Sequence, residues 1–588
     1  MRLGRAATAI LLVAGSTAAV LAVTHAAWTD PTATVIGGAS DGVQKAWFLG
    51  WIAFSLTHGR DPLVTGYLSI PGHPIDLMRN TEVPLWGVLM LPVTMVGGAV
   101  LSLNLVTLLT LIAGPVVTAM VFQRYVQHRP AAWVGGFAFG FCPFVFAEAD
   151  SGHLTWISLW CLPLTLLAMD EILVRQRYDP TRLGIALGAL LSCELLINAE
   201  LLATTVTVAA LLLVLVAGYY RRRIAGHVAF AARALMASLI VWVIVCAFPL
   251  WIEFSGPGHA VHGANISPLL FSADLLGFVL PTLHQLLSPS WATSISTHFT
   301  GDPADTTVYL GLPLLAAVAL GWARYRSDPW VRWSAVLTVL ALVLALGSRL
   351  HIGGRILDFP LPWALLERLP FLGLAMPSRI VVFALLGAGL CLAIVLDRLW
   401  SDPGPLAHVG AAVFICAAAL LFIPDSALYV QELSVPRFFT EASHVAVARG
   451  SYAAVVPVPT ANQADAMLWQ FSSGFQFRMP WGYAIQAGPA DQARASTASN
   501  PVITSLDSIA AGRRPRLTLA PKLVRDLGLW QVRTIVVGPM PGQARVIAWL
   551  TAALRSRPKW YGSVALWRLS QPVEGVTPAQ KDPPTAAS

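Results

Sequence analysis

Ser40-Asp41-Gly42 leads into Lys45-Ala46-Trp47-Phe48-Leu49-Gly50-Trp51. Together they open the first polar stretch of the chain, Trp28 to Glu82, directly after the first long apolar segment. The stretch runs on through His58-Gly59-Arg60-Asp61 and closes on Arg79-Asn80-Thr81-Glu82. In a chain otherwise so apolar, a long acid-bearing loop beside a hydrophobic run reads as a lid or an active site at a membrane edge.

The rest of the sequence supports the membrane. Over 588 residues, 56% are hydrophobic and only 12% charged, with a mean hydropathy of +0.66, which is too apolar for a soluble globular chain. The net charge of +8 does not point to nucleic acid, because Lys and Arg sit mostly between apolar runs, where charge sets topology. The cysteines (Cys142, Cys161, Cys193, Cys246, Cys391, Cys416) all lie inside apolar segments, so neither a disulfide framework nor a thiolate zinc site is indicated. The apolar run 6–27 after Met1 to Arg5 reads as an uncleaved first helix; the alternative is a cleavable signal ending at Thr24-His25-Ala26-Ala27.

Basic clusters fall at Arg124 with Arg129, at Arg175, Arg177 and Arg182, at Arg221-Arg222-Arg223, at Arg324, Arg326 and Arg332, and at Arg398. Placing all of them in the cytoplasm leaves spans near 7–27, 101–122, 131–148, 156–172, 183–197, 199–219, 231–253, 309–324, 331–347, 378–396 and 407–424. The segment Val83–Gly98, with Pro84 and Pro92, is then re-entrant or interfacial. The expected fold is an α-helical polytopic protein of the plasma membrane with about 11 transmembrane helices and a cytoplasmic N-terminus. Its polar loops 28–82, 254–308 and 348–377 gather on the outer face, so the work of the protein is expected there.

After Pro424 the pattern changes. Runs such as Ala453–Val458, Arg533–Gly538 and Ser563–Leu569 read as strands, and 519–529 and 543–556 have helical spacing. The domains expected are therefore 1–424 in the membrane, a small extracytoplasmic α/β domain at 425–572, and a disordered tail at 573–588. Trp469, Arg478, Trp481 and Tyr483 either bind an acceptor or form that domain's core.

Candidate site residues lie at the outer ends of spans. Asp41 begins an amphipathic stretch, 41–57, whose Trp47, Phe48, Trp51 and Phe54 suit the interface plane; it serves equally as a helix N-cap. The turn Glu148-Ala149-Asp150-Ser151-Gly152-His153 offers two carboxylates and an imidazole, as a site or as solvated ends. Glu194 and Glu200 interrupt an apolar stretch and must face a cavity or a cation. Arg379, in Met376-Pro377-Ser378-Arg379, stands outside against the positive-inside tendency, which suits a bound phosphate or a headgroup. Asn80 and Glu82 close the first loop, where Asp61 and Asp76 also lie.

These residues carry a resemblance. The acid Asp41 in the first outer loop, Ser151-Gly152-His153-Leu154 after a Phe-Cys-Pro-Phe span, Val308-Tyr309-Leu310-Gly311 and Pro377-Ser378-Arg379 recur here in order. So do Leu468-Trp469-Gln470, Leu523–Gly528, Arg533–Val537 and Val564–Leu569. In these the chain resembles GT-C class integral membrane glycosyltransferases and is similar to bacterial YfhO-type membrane proteins. The resemblance implies transfer of a sugar from a polyprenyl-phosphate-linked donor to an envelope glycan or lipid-linked acceptor. It makes Asp41 the general base; His153 and Arg379 are expected to meet the departing lipid phosphate, and Asp150 is counted as catalytic with Asp41 and His153. Arg379, Glu148, Glu200, Glu82 and Asn80 are then substrate-binding. A divalent metal is left open, its ligands unknown. The rival readings are a translocase of lipid or lipid-linked sugar and a non-catalytic envelope scaffold.

Overall fold

Runs of Leu, Ala, Val and Ile without a water-facing polar side are stable as helices only where lipid or other helices cover them, and the structure is built from such helices. It is a computed structural model that describes residues 5–80, 83–221, 225–260, 267–369, 372–487, 493–495, 501–513 and 519–569. Glu82 and the tail 573–588 lie outside the described residues.

Two compact units divide the chain. One comprises Met1–Thr65, Asp76–Ser434 and Ile485–Arg494; the other comprises Gly66–Ile75, Val435–Ala484 and Ala495–Ser588. Each expected span overlaps helix in the first unit, although 131–148 is divided between Arg129–Gly140 and Pro143–Asp150 and 156–172 between Leu154–Ile157 and Cys161–Asp170. Among the described residues, 7 helices are long and apolar enough to cross a membrane, and Pro329–Ala345 and Pro405–Leu420 are shorter apolar helices. The helix Val381–Ser401 is buried from Val381 through Asp397 and is the axis of this unit. The region 83–98 is not a straight crossing: helix Pro84–Leu89 stops at Met90, and the next helix, Leu91–Phe122, breaks where Gly98 takes φ 85°.

The helix Ala39–Thr57 departs from expectation. Its Trp47, Phe48 and Trp51 are not open to lipid; they are buried within the protein. The helix packs on Leu91–Phe122 and Pro84–Leu89, and Trp47 stacks on Trp51 at 5.6 Å. Asp41 is not the N-cap either, since Gly38 holds that place and Asp41 sits in the first turn, where a carboxylate meets the positive end of the helix dipole.

Just ahead of that helix, strand Thr34–Ile36 pairs antiparallel with Val430–Glu432. Asn104, buried on the helix Leu91–Phe122, holds the strand. Its Oδ1 accepts from Ile36 N (3.1 Å), and its amide donates to Pro31 O (3.0 Å) and Thr34 O (2.7 Å). A buried amide so fully satisfied fixes one register for the chain that delivers Asp41.

The second unit carries a sheet of four strands, ordered Lys559–Tyr561, Val564–Arg568, Val532–Val537, Tyr452–Val456; the last pair is parallel and the others antiparallel. Helices Leu519–Leu529 and Gln543–Leu554 lie where helical spacing placed them. Trp481 is core: its ring meets Trp530 edge-on at 5.7 Å, and its Nε1 donates to Val455 O at 3.1 Å. Trp469 is buried and stacks on Phe439 at 4.9 Å. The first-loop segment Gly66–Ile75 belongs to this unit, with Tyr67 O accepting from Met479 N (2.8 Å) and Gln470 Nε2 (2.9 Å).

Candidate active site

Two backbones touch where the site begins. Gly37 and Gly38 lie against the turn Ala149–Gly152, so close that a Cβ on Gly38 would stand 2.8 Å from Ser151 O and one on Gly152 would stand 2.9 Å from Gly38 O. Only glycine tolerates this approach, and Gly152 also has φ +80°. The contact sets the first turn of Ala39–Thr57 beside the residue after the turn, His153.

That imidazole is held between two acids. Nδ1 lies 2.6 Å from Glu148 Oε2, and Nε2 lies 3.3 Å from Asp41 Oδ2. Burial by itself favours the neutral ring. The charge of Glu148, with hydrogen bonds to Asp41 and Glu148, outweighs it and pushes the His153 pKa from 6.5 up to about 10. At neutral pH the ring is therefore a cation that donates from both nitrogens.

The chain of charges continues inward. Glu148 is fully buried, and its Oε1 stands 3.9 Å from Arg379 Nε. Asp305 takes the guanidinium in a fork, with Nε to Oδ1 at 2.7 Å and Nη2 to Oδ2 at 3.4 Å. Glu200 Oε2 accepts from Nη1 at 3.3 Å, while its other oxygen accepts the Met376 backbone N–H at 2.6 Å. Below the guanidinium lies the ring of Trp156, 5.1 Å from Cζ to centroid. Acid and base thus alternate from Asp41 through His153, Glu148 and Arg379 to Asp305 and Glu200. Buried ions are tolerated only when paired in this way.

Five of the expected site residues, Asp41, His153, Glu148, Glu200 and Arg379, meet in one cluster. The other described candidates point elsewhere. Asp150 Oδ1 accepts the Tyr429 N–H at 2.6 Å, and Oδ2 lies 4.0 Å from His284. Asn80 is buried and donates to Asp76 O and Ile485 O, each at 2.8 Å, so it ties backbone together. The positive charge of Arg379 is balanced by acids of the chain itself. Sequence reasoning missed Asp305 and Trp156. The signal for Asp305 was faint: it lies in a short helix opened by Asp302-Pro303, whose capping carboxylate accepts from Ala304 N and Asp305 N.

Among the described residues no group of three or more His, Cys, Asp or Glu is arranged to hold a metal ion.

Comparison with known proteins places the chain. A family model described as a domain of unknown function, DUF6311, matches residues 9–372. No curated protein matches. Among solved structures, the arabinofuranosyltransferase AftD from Mycobacteria aligns at a TM-score of 0.54 and 16% identity over 97% of this chain. A mutant form of that enzyme aligns at 0.51 and 16% identity over 92% of this chain and 37% of its own. The Archaeoglobus fulgidus oligosaccharyltransferase in its apo form aligns at 0.49 and 11% identity, over 90% of this chain and 69% of its own. The chain spans only 40% of the length of AftD. The likeness establishes a shared fold, the GT-C fold of polytopic membrane proteins.

Proposed function

We propose that this chain, which belongs to the DUF6311 family, is a membrane glycosyltransferase that moves a sugar from a polyprenyl-phosphate-linked donor to an envelope glycan or lipid-linked acceptor. The observation that carries the reading is the alternating charge chain, whose Asp41 end is partly exposed. Glu148 is sealed at 0% side-chain exposure, while Asp41, at the other side of His153, retains 28%. A carboxylate that is reachable yet held by a buried cation is an anchored proton acceptor.

In this reading the acceptor hydroxyl meets Asp41. The hydroxyl oxygen attacks the anomeric carbon, its proton passes to Asp41, and the bond from that carbon to the lipid phosphate breaks, its electron pair leaving on the phosphate. His153 fixes the Asp41 carboxylate through Nε2 and is itself fixed by Glu148. Arg379, engaged by Asp305 and Glu200, acts as a positioning residue for Glu148. The fold shared with AftD supports the reading, as does the gathering of the cluster at the ends of spans, where a lipid phosphate sits. The positive-inside distribution of arginines supports an outward orientation for that face.

The test is transfer itself. Full-length protein in lipid nanodiscs, given a radiolabelled polyprenyl-phosphate sugar and an envelope acceptor, is expected to move label to the acceptor. Label that crosses a vesicle bilayer with no transfer to any acceptor would instead identify a translocase.

A further inference from the structure

Three helices of the membrane unit are short. Gly311–Tyr325, Pro329–Ala345 and Pro405–Phe422 have 15, 17 and 18 residues. At about 1.5 Å per residue they cover roughly 22 to 27 Å, less than the roughly 30 Å hydrocarbon core. Tilt lowers this further, which leaves room at their ends for another part of the chain to meet the lipid.

The segments at those ends are apolar and exposed. Leu286 N donates to Ile423 O at 2.9 Å and Asp425 N donates to His284 O at 3.1 Å, which fixes 283–287 to the end of Pro405–Phe422. Ala273 N donates to Ala345 O at 2.9 Å, fixing the start of the same loop to the end of Pro329–Ala345. From the latter helix the chain enters the hairpin Arg349–Ile352 with Arg355–Pro360, whose second strand is exposed along its whole length. The hairpin is joined to the loop through Thr300 Oγ1 and His351 Nδ1 at 2.9 Å and through Gly354 N to Asp274 at 2.8 Å. Leu283 at 60%, Leu286 at 53%, Trp291 at 62% and Phe359 at 57% stand open.

From this we infer that the loop 283–291 and the hairpin 349–360 form a collar seated in the bilayer interface, with lipid as the partner that covers their apolar side chains. The length deficit and the backbone ties to two span ends set the depth. Trp and Phe suit the boundary between headgroup and acyl chain. The Arg349–Asp358 pair, at 3.1 Å, marks the headgroup side of the hairpin, whose open backbone edges need water. Loops that read as polar in the sequence thus complete the hydrophobic thickness on the side of Arg379.

The inference is independent of the proposed reaction. Leu287→Cys and Trp291→Cys are made in a Cys416→Ser background, with Asn462→Cys as an exposed control. Each full-length variant is labelled with an environment-sensitive dye and reconstituted in phosphatidylcholine–phosphatidylglycerol vesicles. Lipid-borne nitroxide is expected to quench the dye at 287 and 291 several-fold more than at 462, with aqueous iodide showing the reverse order. Iodide quenching at 287 and 291 equal to that at 462 overturns the inference. Shielding from both quenchers also overturns it, since a protein partner would then cover the collar.

Discussion

In the proposed reaction Asp41 takes the proton, and its neighbours hold it still. Asp41→Asn keeps the hydrogen-bonding shape but cannot take a proton, so transfer is expected to fall by about 10²- to 10⁴-fold, the usual worth of a general base, with the steady-state rate as readout. His153 gives a second prediction, on stability. Its pKa lies near 10 in the folded protein against 6.5 ordinarily, so its charge stabilises the fold fully below about pH 6.5, and that contribution is lost as pH rises through 10. The melting temperature of the wild type should therefore drop more steeply from pH 7 to pH 10 than that of His153→Gln, measured in the same detergent. Arg379→Met leaves Asp305 and Glu148 buried without their cation and should cost about 3 to 5 kcal/mol in unfolding free energy. At this scale the sequence was informative where a charge stood at the end of an apolar run, which is why Asp41, Glu148, His153, Glu200 and Arg379 were visible. Asp305 and Asn104 were not, because a loop acid and a mid-helix amide acquire meaning only from partners far along the chain.

The decisive contact between elements is backbone on backbone. Gly37, Gly38 and Gly152 let the start of Ala39–Thr57 abut the turn before His153. Gly38→Ala, whose Cβ would meet Ser151 O at 2.8 Å, should push Asp41 away from His153. The expected result is a protein that still folds, transfers sugar much more slowly, and has lost part of the steep alkaline fall in melting temperature, since the His153 cation is then less well paired. Element positions were largely legible, because long apolar runs and period-2 alternation specify helix and strand with little help from context. Burial of particular faces was less so. The Trp47, Phe48 and Trp51 stripe suits lipid and protein equally, and only the packing around it decides which covers it.

Across the whole molecule, the sequence disclosed a polytopic helical membrane protein and a small α/β region, and the structure has both. It did not disclose that Gly66–Ile75 leaves the first loop for the second unit, since ten residues carry no pattern of their own. The arginine distribution also predicts an orientation: a reporter fused after residue 430 in the living cell should report the outer face, and a cytoplasmic report would reverse the topology. The most direct test of the central claim compares wild type and Asp41→Asn in nanodiscs, measuring donor affinity and sugar transfer on the same samples. Unchanged donor affinity with transfer nearly abolished is the expected result. Transfer at the wild-type rate by Asp41→Asn would rule out Asp41 as the base.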